Sequence, residues 1–265
     1  MTKRMLAASA ALALAACGGG GGGAGGGPAP GADDAGAAAS VAVRAIDPAS
    51  IPDPATITGT VRFAGDVPGP EIVPITGDPF CVVAHQGAEV AVHRVVASEN
   101  GALRHVFVYV KEGLEGRSFV VPGVPARVTQ AGCTFEPHVI GMQAGQTLQI
   151  HNGDETMHNV YASPVHNRDF NIAQPVAGMT YEIVFRDVEV MISLSCDLHP
   201  WMRAYVGVVG SPYHAVTGED GSFEIGGLPP GDYVVAAWHE TMGEQTRQVS
   251  VAAGDSAEIA FSFGG

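Results

Sequence analysis

Cys196-Asp197-Leu198-His199-Pro200-Trp201-Met202 and, upstream of it, Met157-His158-Asn159-Val160 decide how this chain is read. Cys196, His199 and Met202 stand at i, i+3 and i+6, a spacing that lets one tight loop between two strands turn all three toward a single point. His158 cannot belong to that loop and must arrive from another strand. Its surroundings, Gly145 to Val160, read as a turn, an alternating strand, a polar turn and a second short strand. Together the two segments offer one thiolate, two imidazoles and one thioether. Thiolate and thioether favour Cu(I), imidazole also suits Cu(II), and a His2Cys plane with a weak axial Met is an electron-transfer arrangement. Zinc shares some of these donors, but Met is a poor zinc ligand.

Working outward, the chain shows no long helical periodicity. Short alternating strands separated by Gly, Pro, Asn and Asp turns predict an all-β sandwich or barrel. Thr56 to Phe63 reads as one strand. Ala88 to Ala97 and Leu103 to Lys111 flank Glu99-Asn100-Gly101, a hairpin turn. In the second arm Val106, Val108 and Val110 face one way and Phe107 and Tyr109 the other. From Thr217 to Ala237, each Gly or Pro cluster closes a hairpin, with Phe223, Leu228 and Tyr233 placed to fill a core.

On these motifs the chain resembles the cupredoxins, the small blue-copper proteins. Phe135-Glu136-Pro137, Asn152-x-Asp154 and His158-Asn159-Val160 look like the first-ligand half of that family. The Cys-x2-His-x2-Met loop, with Pro directly after the His, is similar to that of amicyanin. The resemblance covers about 128–209 and implies a Greek-key cupredoxin domain binding one type 1 copper ion through His158, Cys196, His199 and Met202. It further implies that Asn159 braces the Cys strand by a hydrogen bond, an outer contact that orients ligands. The edge of His199, rimmed by Pro200 and Trp201, is then the electron port and docking site for redox protein partners. The C-terminal stretch resembles a carboxypeptidase regulatory-like (transthyretin-like) β-sandwich. The strand pattern that normally opens such a domain, Ile57-Thr58-Gly59-Thr60-Val61, stands far upstream. The economical organisation is one regulatory-like sandwich made from 56–127 and 210–265 with a cupredoxin domain, 128–209, inserted. The rival is two domains in series, with residues 88–127 supplying the first cupredoxin strands.

The N-terminus reads as a targeting segment. Lys3 and Arg4 precede a short apolar run, Met5 to Ala16, too short to span a bilayer as a stable helix. Leu14-Ala15-Ala16-Cys17 looks like a bacterial lipoprotein signal: residues 1–16 are removed and Cys17 carries the lipid. Residues 17–55, rich in Gly, Ala and Pro, form a flexible tether. Gly at position 18 favours the outer membrane if the cell is Gram-negative, so the protein is expected to be exported, periplasmic or at the cell surface, and lipid-anchored. The formal charge of −14 excludes nucleic acid as a partner class and suits basic partners or plain solubility. Of four cysteines, Cys17 goes to lipid and Cys196 to metal. In an oxidising compartment Cys81 and Cys133 are expected to form a disulfide, with two buried thiols or a second metal site with His85 or His138 as the other readings.

Nothing else resembles an active site, and the chain is not read as an enzyme. His239-Glu240-Thr241-Met242-Gly243 lacks the second His of a zinc protease helix. There is no Gly-x-Ser-x-Gly elbow and no Cys-x-x-Cys-His haem site. The expected activity is single-electron transfer by Cu(II)/Cu(I) cycling. Two other readings stand beside it. One is a surface module binding carbohydrate or protein, with a glycan on the regulatory-like sandwich through Tyr213, Tyr233 and Trp238 and copper as a structural ion. The other is periplasmic copper storage or delivery.

Overall fold

The computed structural model describes residues 44–264. The leader, Cys17 and most of the tether lie outside the described residues. The protein is all-β, with one short helix and one 3-10 turn among the described residues. In chain order the elements begin β1 (Ala55–Phe63), β2 (Glu71–Pro74), α1 (Pro79–Ala84), β3 (Glu89–Val92), β4 (Phe107–Glu112), β5 (Ala126–Ala131) and β6 (Thr134–Glu136). They continue with β7 (Val139–Gln143), β8 (Thr147–Asn152), β9 (His158–Ala162), β10 (Phe170–Gln174), β11 (Thr180–Val184) and β12 (Glu189–Ser195). The last are β13 (Arg203–Val209), β14 (His214–Val216), β15 (Ser222–Leu228), β16 (Gly231–His239), β17 (Gly243–Val251) and β18 (Ser256–Phe263). No helix among these residues is long and apolar enough to cross a membrane.

Two pairs of sheets face each other. The first pair is β15-β1-β18 over β14-β4-β16-β17. Its core takes Ile57 and Val61 from β1, Val108 and Val110 from β4, and Phe223, Leu228, Tyr233 and Phe261 from the C-terminal strands. β1 runs antiparallel to β15 and parallel to β18, so a strand near the start of the folded region is held between two near its end. The second pair is β10-β9-β12-β13-β7 over β11-β8-β5-β6. Its core holds Val128, Phe135, Leu148, Ile150, Val160, Ile192, Leu194 and Val206. Alternation along each strand produces this: in β8 the burial reads intermediate-buried three times over, as a strand covered on one face requires.

Residues 71–92 pack with the second core. β2 and β3 pair as a hairpin, and Ile75, Cys81 and Val90 are buried in that cluster. The packing does not follow the boundary expected at 127/128: Val73 to Val92 lie with the second core, Val95 to Phe119, apart from Phe107 and Tyr109, with the first, and the second resumes at Ala126 at the start of β5.

The hairpin expected across Glu99-Asn100-Gly101 is shorter than the sequence implies. Around the turn only a bridge between Ala97 and Leu103 and the flanking Ser98–Ala102 and Arg104–Val96 contacts remain. His105, at φ 61, turns the chain away, and β4 joins β14 and β16 instead. Alternation in β4 puts Val106, Val108 and Val110 into the first core, and Phe107 and Tyr109 into a third cluster with Val139, Val209 and Ala236.

That third cluster joins the two sandwiches. Gly141 of β7 and Gly207 of β13 are register partners. A Cβ at Gly207 would stand 2.4 Å from a Phe107 ring carbon, and one at Gly141 would stand 2.3 Å from His214 Nδ1. The two glycines thus open a trough in the five-stranded sheet, and Phe107 and His214 fill it.

Candidate metal centre

β12 is the keystone of the site. It pairs with β13 on one side and β9 on the other, both antiparallel. Ser195 faces Arg203 across the β12–β13 pair, so residues 196–202 must close as a tight loop. Met202 N donates to His199 O at 2.8 Å, and Cys196 N to Met202 O at 3.4 Å. Ser195 also faces Tyr161 of β9, and continuing that antiparallel register carries His158 beyond the end of β12 to the ligand loop. Pairing thus unites two segments that the sequence keeps apart.

The ligating atoms of His158, Cys196 and His199 lie within 4.8 Å of one another, and all three residues are buried. The two imidazole Nδ1 atoms are 3.0 Å apart, and Cys196 Sγ is 3.5 Å from His199 Nδ1. Met202 is buried at the end of the same loop. Asn159 Oδ1 accepts from Asp197 N at 2.7 Å and from Cys196 Sγ at 3.3 Å, tying β9 to the residue after the thiol. Its Nδ2 donates to Asn171 Oδ1 and Asp197 Oδ2.

The outer nitrogens of both rings are held by carboxylates. His158 Nε2 is 2.9 Å from Asp154 Oδ2, and His199 Nε2 is 3.1 Å from Asp78 Oδ2. A ring that donates through Nε2 leaves Nδ1 as a bare lone pair. Two such lone pairs then face each other across 3.0 Å beside a thiol. Without a cation between them they repel; with one, every donor is satisfied. The residues therefore fit a soft or borderline metal ion, and the carboxylate–histidine pairs fix the ring tautomers.

Each carboxylate is itself fastened. Asp154 takes Gly132 N at 2.7 Å and Cys133 N at 2.8 Å, while Asn152 accepts from Asp154 N. Asp78 caps α1, accepting from Phe80 N and Cys81 N, and takes the Thr156 hydroxyl at 2.7 Å. Burial alone would push the Asp78 carboxyl up, but these donors and His199 outweigh it and hold it below the ordinary value. Burial, then neighbouring His158, pushes His199 down, against the pull of Asp78, so the ring is neutral and able to ligate at neutral pH. Burial pushes the Cys196 thiol up, so a metal must displace its proton.

Cys81 and Cys133 are joined in a disulfide, and Cys81 Sγ lies 3.5 Å from His199 Nε2. A second metal site with His85 or His138 therefore falls away, since both sulfurs are bonded to each other. The bridge and α1 cover the His199 edge, leaving the residue only 3% exposed. His199 itself therefore presents little surface at the edge expected to be the port. Trp201 is also not a surface residue: it is buried, its indole N–H donates to Cys133 O at 2.9 Å, and its ring meets His85. Pro200 and Leu198 are exposed. On the other sandwich, Tyr213 and Tyr233 are core residues, which removes two of the three aromatics expected to meet a glycan.

Asp78 and the disulfide's position carried no sequence signal as parts of the site. Asp-Pro at 78–79 does mark a helix start, but nothing local says which histidine the cap will also touch. Asp154 stood inside the quoted Asn-x-Asp motif without a role.

The carboxypeptidase regulatory-like domain family matches residues 198–263. That match begins inside the ligand loop and takes in β13, which pairs within the five-stranded sheet. No curated protein matches the chain. Among solved structures, the chain is similar to the purple cupredoxin of Nitrosopumilus maritimus: 22% identity over 31% of this chain and 98% of that one, TM-score 0.28. It is similar to amicyanin from Paracoccus versutus at 21% identity, over 38% and 96% of the respective chains, TM-score 0.28. It is also similar to the copper-containing nitrite reductase of Thermus scotoductus SA-01 at 19% identity, over 52% of this chain and only 28% of that one, TM-score 0.31. Each of these likenesses covers only part of this chain, and the regulatory-like match is confined to its C-terminal stretch. The case for the metal centre rests on its own donors.

Proposed function

We propose that this is an exported, lipid-anchored type 1 copper protein that carries single electrons between redox protein partners and is not an enzyme. The observation that carries the reading is the pair of histidine Nδ1 atoms, 3.0 Å apart beside the Cys196 thiol, with both outer nitrogens held by carboxylates. In this reading His158, Cys196, His199 and Met202 would hold the copper ion. Copper bound there would supply a one-electron Cu(II)/Cu(I) couple.

The chain's own residues supply rigidity and exclude water. Asn159 holds the start of the loop, Asp154 and Asp78 hold the two rings, and the disulfide closes over them. Because Trp201 is buried, docking falls to Pro200 and Leu198, an exposed apolar edge suited to brief contact. Cys17, at the end of the apolar leader, supports anchoring to a membrane, and each buried CH2 of its lipid contributes about 0.8 kcal/mol. The acidic chain favours basic partners over nucleic acid.

Adding Cu(II) to the copper-free protein is expected to produce an intense visible charge-transfer band and a reversible one-electron wave. Cys196→Ser must lose the band. A band that survives that substitution, or copper that exchanges freely with no redox wave, overturns the reading; the second outcome would favour storage or delivery.

A further inference from the structure

We infer that the cleft beside the ligand loop is a binding site for a small aromatic carboxylate. The cleft has a volume of about 860 Å³, within the range of small-molecule pockets. It lies where both sandwiches meet: β3 and the segment after it, β5 and β6, the residues following His199, and Glu240 at the β16–β17 turn all contribute.

Three arginines outnumber the two glutamates of its lining, Glu136 and Glu240, so the lining is positive by one charge with its histidines neutral. In a chain of formal charge −14, Arg94, Arg104 and Arg203 line this one cleft. Arg203 has no carboxylate within ion-pair distance among the described residues, and Arg104 meets only Glu219, a side chain 86% exposed, at 3.6 Å. Arg94 is shared between Glu71 at 3.0 Å and Glu240 at 3.8 Å. The most buried acid here, Glu240, is already matched by His138 Nε2 at 2.7 Å and Tyr205 OH at 3.0 Å. Arg203 is thus left without a carboxylate and Arg104 has only a solvent-exposed one, so both remain open to an anion from outside, and their planar forks suit a carboxylate.

Part of the remaining wall is apolar and aromatic, beside Thr129, Thr134 and His93. Phe135 and Trp201 are buried there with Met202 and Val90. The Trp201 indole N–H is spent on Cys133 O, so the ring brings carbon and no free donor to this wall. His105 stands in the lining at φ 61, a conformation rarely kept by a residue with a Cβ unless its surroundings hold it. Since Trp201 and Met202 belong to the ligand loop, an occupant would lie against the segment that carries Cys196 and His199. The binding proposal itself does not depend on copper.

The test is calorimetric titration of the full exported chain, copper-free, with benzoate, benzamide and inorganic phosphate. Benzoate is expected to bind, with benzamide and phosphate each weaker by about tenfold or more, the scale of losing one charge-assisted contact or the aromatic one. Arg104→Gln with Arg203→Gln is expected to weaken benzoate by a similar factor and leave the far-UV circular dichroism unchanged. The proposal is overturned if benzoate shows no heat of binding up to about 10 mM, where any useful site would be filled. It is equally overturned if benzamide or phosphate matches benzoate, or if a folded double variant binds as the parent does. The wild-type comparison of benzoate with benzamide decides the matter even should the variant misfold. A copper site that fails its own test leaves this result untouched.

Discussion

His158 and His199 are unequal in sequence context and alike in chemistry. Each turns Nδ1 inward and gives Nε2 to an aspartate. Cys196, His199 and Met202 could be read from spacing because a loop of fixed length leaves few other geometries, and Asn159 could be read because it follows His158. Asp78 could not: it is 121 residues from His199 in the chain and meets it only through the cap of α1. The outer carboxylates fix ring orientation and raise ligand basicity, so removing their charge weakens the metal. Asp154→Asn and Asp78→Asn are each expected to lower copper affinity by about 10–100-fold, measured by competition with a chelator. Asp154→Asn should also shift the visible band, since Asp154 holds a ring that is wholly buried. An unchanged affinity in both variants would mean that the rings are held by packing alone.

At the scale of elements, β7 and β13 pass the strain of assembly to two glycines. Neither Gly141 nor Gly207 has positive φ, so their role is close approach and not backbone freedom. Gly207→Ala would place a methyl 2.4 Å from the Phe107 ring and 2.9 Å from Met191 Sδ. Phe107 is fully buried and has nowhere to go. The substitution is expected to cost about 1–3 kcal/mol, as overpacking does, read as a lower urea midpoint. Gly69→Ala, with nothing within 4 Å of its Cβ, is the control and should stay within about 0.5 kcal/mol of the parent. Strand identity here was legible from alternation, and the two faces of β4 could be assigned from Val106 to Val110 alone. The short hairpin at 99–101 was not, because the turn at His105 is imposed by where β4 must pair.

At the scale of the whole molecule, three histidines, His239 buried and His105 and His214 half-buried, tie stability to pH. Burial pushes His105, His214 and His239 down to about 4 from 6.5. Above pH 6.5 each is neutral whether folded or unfolded, and its contribution is fully present. As pH falls from 6.5 toward 4 the unfolded chain takes up protons that the folded chain refuses, and stability is lost across that window. For His239, the most buried of the three at 2% exposed, the loss amounts to about 3 kcal/mol; His105 and His214, which are half-buried, contribute less. Urea midpoints measured between pH 7 and 4 should fall, and His214→Asn should flatten the slope if the variant folds. A midpoint flat across that range would contradict the burial of these rings. His214 fills the trough between the sandwiches, so the junction itself is one of the acid-sensitive parts.

The sequence by itself determined what is local. Alternation and turn residues made the chain all-β, and loop spacing placed a thiol, an imidazole and a thioether within one short arc. Pairing across long separations was left to the tertiary structure. Hydrogen-bond registers brought His158 to the loop, slid β1 between β15 and β18, and carried α1 with its disulfide over His199. The motif at 196–202 named its own donors. Only the fold decided that both rings would be clamped, that Trp201 would be buried, and that a cleft lined by three arginines would open beside them.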